Sequence, residues 1–196
     1  MNIVQKEAFA DLLNRIGISH PETQNSLINI ASFKNISKGE TLIQAGAMPD
    51  TFWIISSGLV RHFYSLEDGR ERNKAFYTEN KFIGPVSAGF SGNPSPFTIE
   101  TLETTYLFSL PIKPFQALIE SDTELLAACF NLLTDAFIRN EKREAMLLSA
   151  SAEDRYNWLL QHEPQWVDRV QQYHLASYLG IDAVSFSRLK KQQLQP

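Results

Sequence analysis

The 196-residue sequence predicts an α+β protein: an N-terminal β-roll of the jelly-roll type, one long helix, and a C-terminal helix-turn-helix domain. Three observations carry this expectation. Between residues 33 and 110, short runs rich in Ile, Phe, Val, Thr and Tyr alternate with turn residues, the pattern of closely spaced strands. Residues 121–148 then run for 28 positions without Pro or Gly. Finally, residues 172–191, QYHLASYLGIDAVSFSRLKK, form two apolar-faced segments around a glycine.

Composition narrows the class. Hydrophobic residues make up 43% and charged residues 20%, values of an ordinary globular protein. No apolar run approaches the eighteen or so residues needed to span a bilayer, and residues 1–11 lack the basic start and apolar core of a signal peptide. The single Cys129 excludes an internal disulfide and a cysteine-held iron–sulfur cluster within one chain. A cytoplasmic location is expected. The net charge of −4 argues against a protein that coats nucleic acid non-specifically. Its distribution is uneven. Residues 1–150 carry the whole excess, while residues 151–196 balance five Lys/Arg against five Asp/Glu. Beyond Gln171 the charges are Arg188, Lys190 and Lys191 against Asp182 alone.

In chain order, residues 5–16 place Phe9, Leu12, Leu13 and Ile16 on one helical face, and residues 23–30 add a second short helix. The strand region is punctuated by Lys38-Gly39, Ala45-Gly46, Met48-Pro49-Asp50, Ser57-Gly58, Asp68-Gly69 and Gly92-Asn93-Pro94. Asp68-Gly69, between LVRHFYSL and RERNKAFY, reads as a hairpin turn. Phe52, Trp53, Phe76, Tyr77, Phe82 and Phe97 are expected to build the barrel core. Arg61, Arg70, Arg72 and Lys74 read as a solvated face beside Glu67, Asp68 and Glu71. His20, His62, His162 and His174 are scattered, without metal-ligand spacing, and no nucleophile elbow, phosphate loop or zinc-hydrolase motif occurs. Neither enzymatic activity nor a cofactor or metal is expected. Cys129, among Ala and Phe, reads as an inert buried thiol.

The long helical stretch has two stripes. Leu126, Phe130, Leu133, Phe137, Asn140, Glu144 and Leu147 follow alternating four- and three-residue steps, a heptad seam that is apolar in its first half. Leu125, Cys129, Leu132 and Ala136 form a second stripe suited to packing on the roll. Leu126, Phe130, Leu133 and Phe137 are thereby free for a second copy, and a homodimer is expected. Ser151-Ala-Glu-Asp154 reads as a capping box opening a new helix that Pro164 ends. The resulting division is 1–120 for the roll with its N-terminal helices, 121–149 for the dimerisation helix, and 150–196 for the helix-turn-helix domain.

Within residues 172–191, Leu175 and Leu179 form the buried face of the first helix, and small Ala176 permits a close crossing. Gly180 supplies the left-handed residue that leaves the helix. Asp182 can cap the second helix, on which Phe186 and Leu189 point inward. Val184, Ser187, Arg188 and Lys191 repeat on the opposite face. A hydroxyl, a guanidinium and an ammonium on one exposed face suit the edge of a DNA major groove.

A β-roll, a long helix and a helix-turn-helix in this order resemble the Crp/Fnr family of bacterial transcription regulators. The resemblance rests on KGETLIQAGAMPDTFWIISSGLVRHF, EDGRERNKAFYTENKFIG and YHLASYLGIDAVSFSRLKK, and it covers residues 33–191. It implies a cyclic-nucleotide-binding-type roll that senses a signal, a dimerising helix, and recognition helices that enter successive major grooves of a palindromic double-stranded site. By position, Ala183, Val184, Ser187 and Arg188 would face bases, with Arg188 able to pair with guanine. Ser185, Lys190, Lys191 and Tyr173 would contact phosphates.

Two departures qualify the resemblance. Nucleotide-binding members place Gly-Glu after the strand and an Arg eleven residues beyond that Gly. Here Gly84 is followed by Pro85, Ser95 stands at the Arg position, and the loop GPVSAGFSGNPSPF, which closes on Pro96 and Phe97, carries no charge. The sensor is therefore expected not to bind cAMP or cGMP, leaving an unknown small-molecule effector as its candidate signal. After Lys191 only QQLQP remains, without room for the β-hairpin wing that the family commonly adds, so affinity per half-site is expected to be low. The rival expectation is a ligand-sensing or protein-interaction module with a degenerate helix-turn-helix that does not bind DNA.

Overall fold

The computed structural model describes residues 1–193; positions 194–196, the end of the QQLQP tail, lie outside the described residues. Two helices, α1 (Ile3–Arg15) and α2 (Pro21–Ile30), precede eight strands. These are β1 (Ser32–Ile36), β2 (Thr41–Ile43), β3 (Thr51–Ser57), β4 (Val60–Ser65), β5 (Glu71–Tyr77), β6 (Phe82–Ile83), β7 (Thr98–Thr101) and β8 (Thr105–Pro111). A short helix, α3 (Val86–Ser91), lies between β6 and β7. The chain continues through α4 (Ile112–Ser121), α5 (Thr123–Ser149), α6 (Ala152–His162), α7 (Pro164–Val167), α8 (Gln172–Leu179) and α9 (Ala183–Gln193).

The strands form two four-stranded antiparallel sheets, ordered β1-β8-β3-β6 and β2-β7-β4-β5. Apart from the β4–β5 hairpin, neighbours in each sheet come from distant parts of the sequence, as in a jelly roll. Ile54 faces Phe108 across β3 and β8, and His62 faces Ile99 across β4 and β7. The Asp68-Gly69 turn joins β4 to β5 as the sequence predicts, and their pairing slips by one residue between His62 and Phe63. Trp53, Ile55, Val60, Ala75, Tyr77, Ile83, Phe97, Ile99 and Leu107 fill the roll interior.

A second core lies on the outer face of the β1–β8–β3 sheet. There Phe9, Leu12 and Leu13 of α1 meet Phe108, Leu110, Phe115 of α4 and Leu125 of α5. The Phe9 and Phe108 rings stack with centroids 4.3 Å apart. The helix α4 is not announced by the strand-and-turn pattern; its Ile112 and Phe115 are buried three residues apart on one face. Asp122 then caps α5 by accepting from the Leu125 amide at 3.0 Å, and it also accepts from the Thr23 hydroxyl at 2.6 Å. One carboxylate thus starts the long helix and ties it to α2.

The third core holds the C-terminal helices against the roll. Tyr156, Leu159, Trp166, Leu175, Ala176, Tyr178, Leu179, Phe186 and Leu189 cluster with Leu59 and Phe76 of the strand region. Each such large apolar side chain, once buried, contributes about 1.5–3 kcal/mol. Phe76 therefore serves this outer core, and Phe52 and Phe82 the core under α1 and α4, not the barrel core expected for them, because each points away from the roll interior; Trp53, Tyr77 and Phe97 do fill it. Two further expectations are corrected. Pro164 does more than end α6, since it stands at the first position of α7, where its missing N–H costs nothing. Arg61 is not on a solvated face. It is only 4% exposed and lies between Glu100 and Glu71.

Candidate nucleic-acid interface and sensor cavity

The helix-turn-helix is assembled by local chemistry. Gly180 leaves α8 with φ of 66°, a left-handed conformation that glycine adopts without strain. The Ile181 amide then donates to the Ala176 carbonyl at 3.1 Å, closing the helix end. Asp182 accepts from the Ser185 amide at 2.8 Å and from the Ser185 hydroxyl at 2.6 Å, so both termini of the turn are satisfied. Those bonds hold the Asp182 carboxyl below the usual range. Phe186 and Leu189 are buried, with the Phe186 ring edge-on to Tyr156 at 5.2 Å.

This anchoring turns the other face of α9 outward. Val184 is 80% exposed, and Ala183, Arg188 and Lys191 are exposed around it. With Ser187 they line one shallow depression that also includes Gln192, a residue the sequence pattern did not single out. Gln192 lies four residues beyond Arg188, a helical spacing that could have found it. Arg188, Lys190 and Lys191 take part in no ion pair among the described residues. Tyr173, 56% exposed, sits at the start of α8 with its ring against His174. Ser185, in the first turn of α9, donates its hydroxyl to Asp182.

Residues invisible to motif reading fasten this reading head to the roll. Asn73 of β5 donates its amide to the Ser177 hydroxyl at 3.0 Å, and Ser177 donates onward to the Glu71 carbonyl at 2.9 Å. The Asn73 side chain and Arg61 both point N–H groups at His174 Nδ1, at 3.2 and 3.3 Å. Two donors at one ring nitrogen make it an acceptor, so His174 is neutral with its proton on Nε2. Burial and the neighbouring Arg61 push His174 down to about 4. Arg143 of α5 donates to the carbonyls of Asn73 and Tyr178, joining three elements. Arg169 donates to Glu79, to Glu103 and to the Gly58 carbonyl, clamping the segment before α8 to three roll loops.

The seam on α5 is open. Leu126 is 53% exposed, Phe130 68%, Leu133 49% and Phe137 63%, whereas Leu125 is 1% exposed. Leu125 and Cys129 pack on the roll-side core, and Leu132 and Ala136 turn toward a cavity between α5 and the roll. Burial alone raises the Cys129 thiol to about 11.

The ligand loop has the backbone of a binding loop and little of its polarity. Gly84 is buried with φ of 151°, and a Cβ there would meet the Phe52 ring at 2.6 Å. Pro85 precedes α3 without any side-chain cap. Ser95 is buried, and its hydroxyl donates to the Phe97 carbonyl at 2.6 Å. Pro96 is exposed, while the buried Phe97 ring stacks on His62 with centroids 4.9 Å apart. Beside this loop lies the cavity, about 650 Å³ in volume. His62, Tyr77, Gly84, Phe115, Leu132 and Arg139 are among the residues that line it. Among the described residues no cluster of His, Cys, Asp or Glu is arranged to hold a metal ion, and no helix is long and apolar enough to cross a membrane.

An outward-facing helix on a β-roll, with a long helix between them, defines a class: a cyclic-nucleotide-binding-type domain carrying a helix-turn-helix. Comparison with known proteins agrees. Residues 33–122 match the cyclic nucleotide-binding domain family. The chain is 24% identical over 166 residues to the transcriptional activator protein anr of Pseudomonas aeruginosa, covering 79% of this chain and 67% of that protein. It is 25% identical over 119 residues to the transcriptional activator protein FnrA of Stutzerimonas stutzeri, covering 61% of this chain and 48% of FnrA. That match spans about half the length of the relative. In fold the chain is similar to CLP, the c-di-GMP-responsive global regulator of Xanthomonas campestris. Their TM-score is 0.74 at 16% identity, covering 89% of this chain and 92% of CLP. The chain thus carries a cyclic nucleotide-binding domain over residues 33–122 and is similar to transcription regulators of the Crp/Fnr type. The two relatives are named as transcriptional activators.

Proposed function

We propose that this protein is a homodimeric, DNA-binding transcription regulator whose sensor roll does not use cAMP or cGMP. The observation that carries the reading is the α9 face. Phe186 and Leu189 are fixed inward, leaving Ala183, Val184, Ser187, Arg188 and Lys191 on the outward face, with no ion pair to Arg188 or Lys191 among the described residues. Arg188 donates a bidentate pair to guanine, Val184 or Ala183 meets a thymine methyl, and Ser185, Lys190, Lys191 and Tyr173 contact phosphates. The exposed seam of Leu126, Phe130, Leu133 and Phe137 supports a second copy as partner, and two reading heads imply a palindromic double-stranded site with half-sites about one helical turn apart. The uncharged loop, with Ser95 bonded to its own backbone, supports exclusion of cyclic nucleotides. The three-part division at residues 120 and 149, and a cytoplasmic location, belong to the same proposal.

A mobility-shift assay against genomic fragments tests it. A specific fragment is retained at moderate salt, and Arg188→Ala releases it. No retained fragment, or an Arg188→Ala protein that binds like wild type, rejects the reading. One observation favours a second reading, an interaction module that does not bind DNA: Arg61, Asn73, Arg143 and Arg169 hold α8 against the roll. That reading predicts negligible, salt-insensitive DNA binding with dimerisation retained.

A further inference from the structure

We propose that the cavity between α5 and the roll binds a small organic carboxylate with an apolar body, held by Arg139, Tyr77 and His62. The inference rests on the sensor reading above and names the class of its signal.

Three observations meet in this one space. First, His62 is only 2% exposed, yet neither ring nitrogen has a hydrogen-bond partner among the described residues. A buried imidazole without partners forgoes the bonds it would make in water, a cost that a bound ligand removes. Desolvation keeps its pKa well below the usual value, so the ring is neutral and offers one donor and one acceptor. Second, Arg139 reaches across from α5, donating to the Tyr77 hydroxyl at 2.8 Å and lying 4.7 Å over its ring. The Tyr77 ring is in turn 4.5 Å from His62, so guanidinium, phenol and imidazole stand in sequence along one wall. Arg139 takes part in no ion pair among the described residues, although Glu163 lies within electrostatic reach of Arg139 and Lys81, and exposed Arg15 and Lys81 stand at the rim of a lining whose one acid is Asp135.

Third, the remaining wall is apolar: Ile16, Phe82, Val86, Phe115 and Leu132 among others. A volume of about 650 Å³ falls in the range of small-molecule sites. A guanidinium beside a phenol hydroxyl suits one carboxylate, through charge-assisted bonds at its two oxygens. The apolar wall takes a ring or short chain behind it. The loop residues Ser95, Pro96 and Phe97, where nucleotide-binding relatives hold the phosphate, are not part of the lining.

The test uses the full chain, with thermal melts and calorimetry against benzoate and hexanoate and against the uncharged benzamide and hexanamide. At least one carboxylate is expected to raise the melting temperature and release heat, while its amide does neither. Arg139→Gln should weaken the carboxylate roughly tenfold or more, and Arg139→Lys should restore part of the loss. His62→Phe, which fills the space the imidazole leaves, should abolish the response. If a substituted protein fails to fold by circular dichroism, the acid–amide contrast on the wild-type chain still decides. Equal response to acid and amide, no response to any of the four compounds, or undiminished binding by folded Arg139→Gln overturns the proposal. Tighter binding of cAMP than of either acid overturns it too. DNA retention by the same preparation is scored separately, so loss of the effector proposal leaves the regulator reading intact.

Discussion

Arg188 and His174 stand 14 positions apart and illustrate opposite fates for a polar side chain in the same small domain. Arg188 is exposed and takes part in no ion pair among the described residues, so on the proposed reading its removal is felt at the DNA and not in the fold. Arg188→Ala should cost about 1–3 kcal/mol per half-site and relax preference at one base pair, read by competition with mutated fragments. Lys191→Ala should instead weaken all fragments alike and reduce the salt dependence. His174 is buried and accepts from Arg61 and Asn73, which requires the neutral ring. Its folded value of about 4 lies below the ordinary 6.5, so the unfolded chain takes up the proton first. The stabilisation is complete above about pH 6.5 and is lost as the pH falls toward 4, by at most about 1.4 kcal/mol per pH unit. Denaturant titrations at about pH 7 and pH 5 should show that fall, and His174→Gln should flatten it. His62, also held low, leaves a residual slope of the same sign. The outward position of Arg188 was legible from helical spacing alone. The burial of Arg61 was not, because its partners Glu100 and Glu71 come from other strands, and only sheet pairing brings them together.

Among the elements, α5 is the one whose two faces have different tasks. Leu125 and Cys129 pack on the core beside α4, and Phe130 and Phe137 stand in solvent. Four large apolar residues on one open seam would each contribute about 1.5–3 kcal/mol when covered. Phe130→Glu should therefore shift the protein to monomer in sedimentation experiments. Its melting temperature at low concentration should stay unchanged, since the side chain is already 68% exposed in the single chain. A variant that still sediments as a dimer removes the seam from the interface. Long periodic elements such as α5 and hairpins with Asp-Gly turns were readable because their signals are local. The helix α4 escaped because it is short, carries Pro114 in its first turn, and shows only ten residues of pattern. The cavity escaped for a different reason: it exists only where α1, β6 and α5 meet, and no sequence window contains all three.

For the molecule as a whole, the join between reading head and roll governs behaviour. Arg169 is its most connected member, bonding Glu79, Glu103 and the Gly58 carbonyl while remaining partly exposed. Arg169→Ala should cost about 1–2 kcal/mol, the scale of a partly exposed charge network. Hydrogen exchange should report it, with protection falling in α8 and α9 before it falls in the strands; uniform loss across the chain would count against a local clamp. The joint core of Leu59, Phe76, Trp166 and Tyr178 explains why cutting the sequence at residue 149 captures the order of parts better than their packing.

That join also fixes a distance. With α8 bonded to β5 at Asn73, Ser177 and His174, the outward face of α9 is held to the roll while those bonds persist. In a dimer joined along α5, the separation between two such faces is then dictated by the angle at which the rolls lean from the shared helices. The protein would act as a pair of callipers, its jaw opening set at the pivot, and the half-site spacing it prefers on DNA would report that opening.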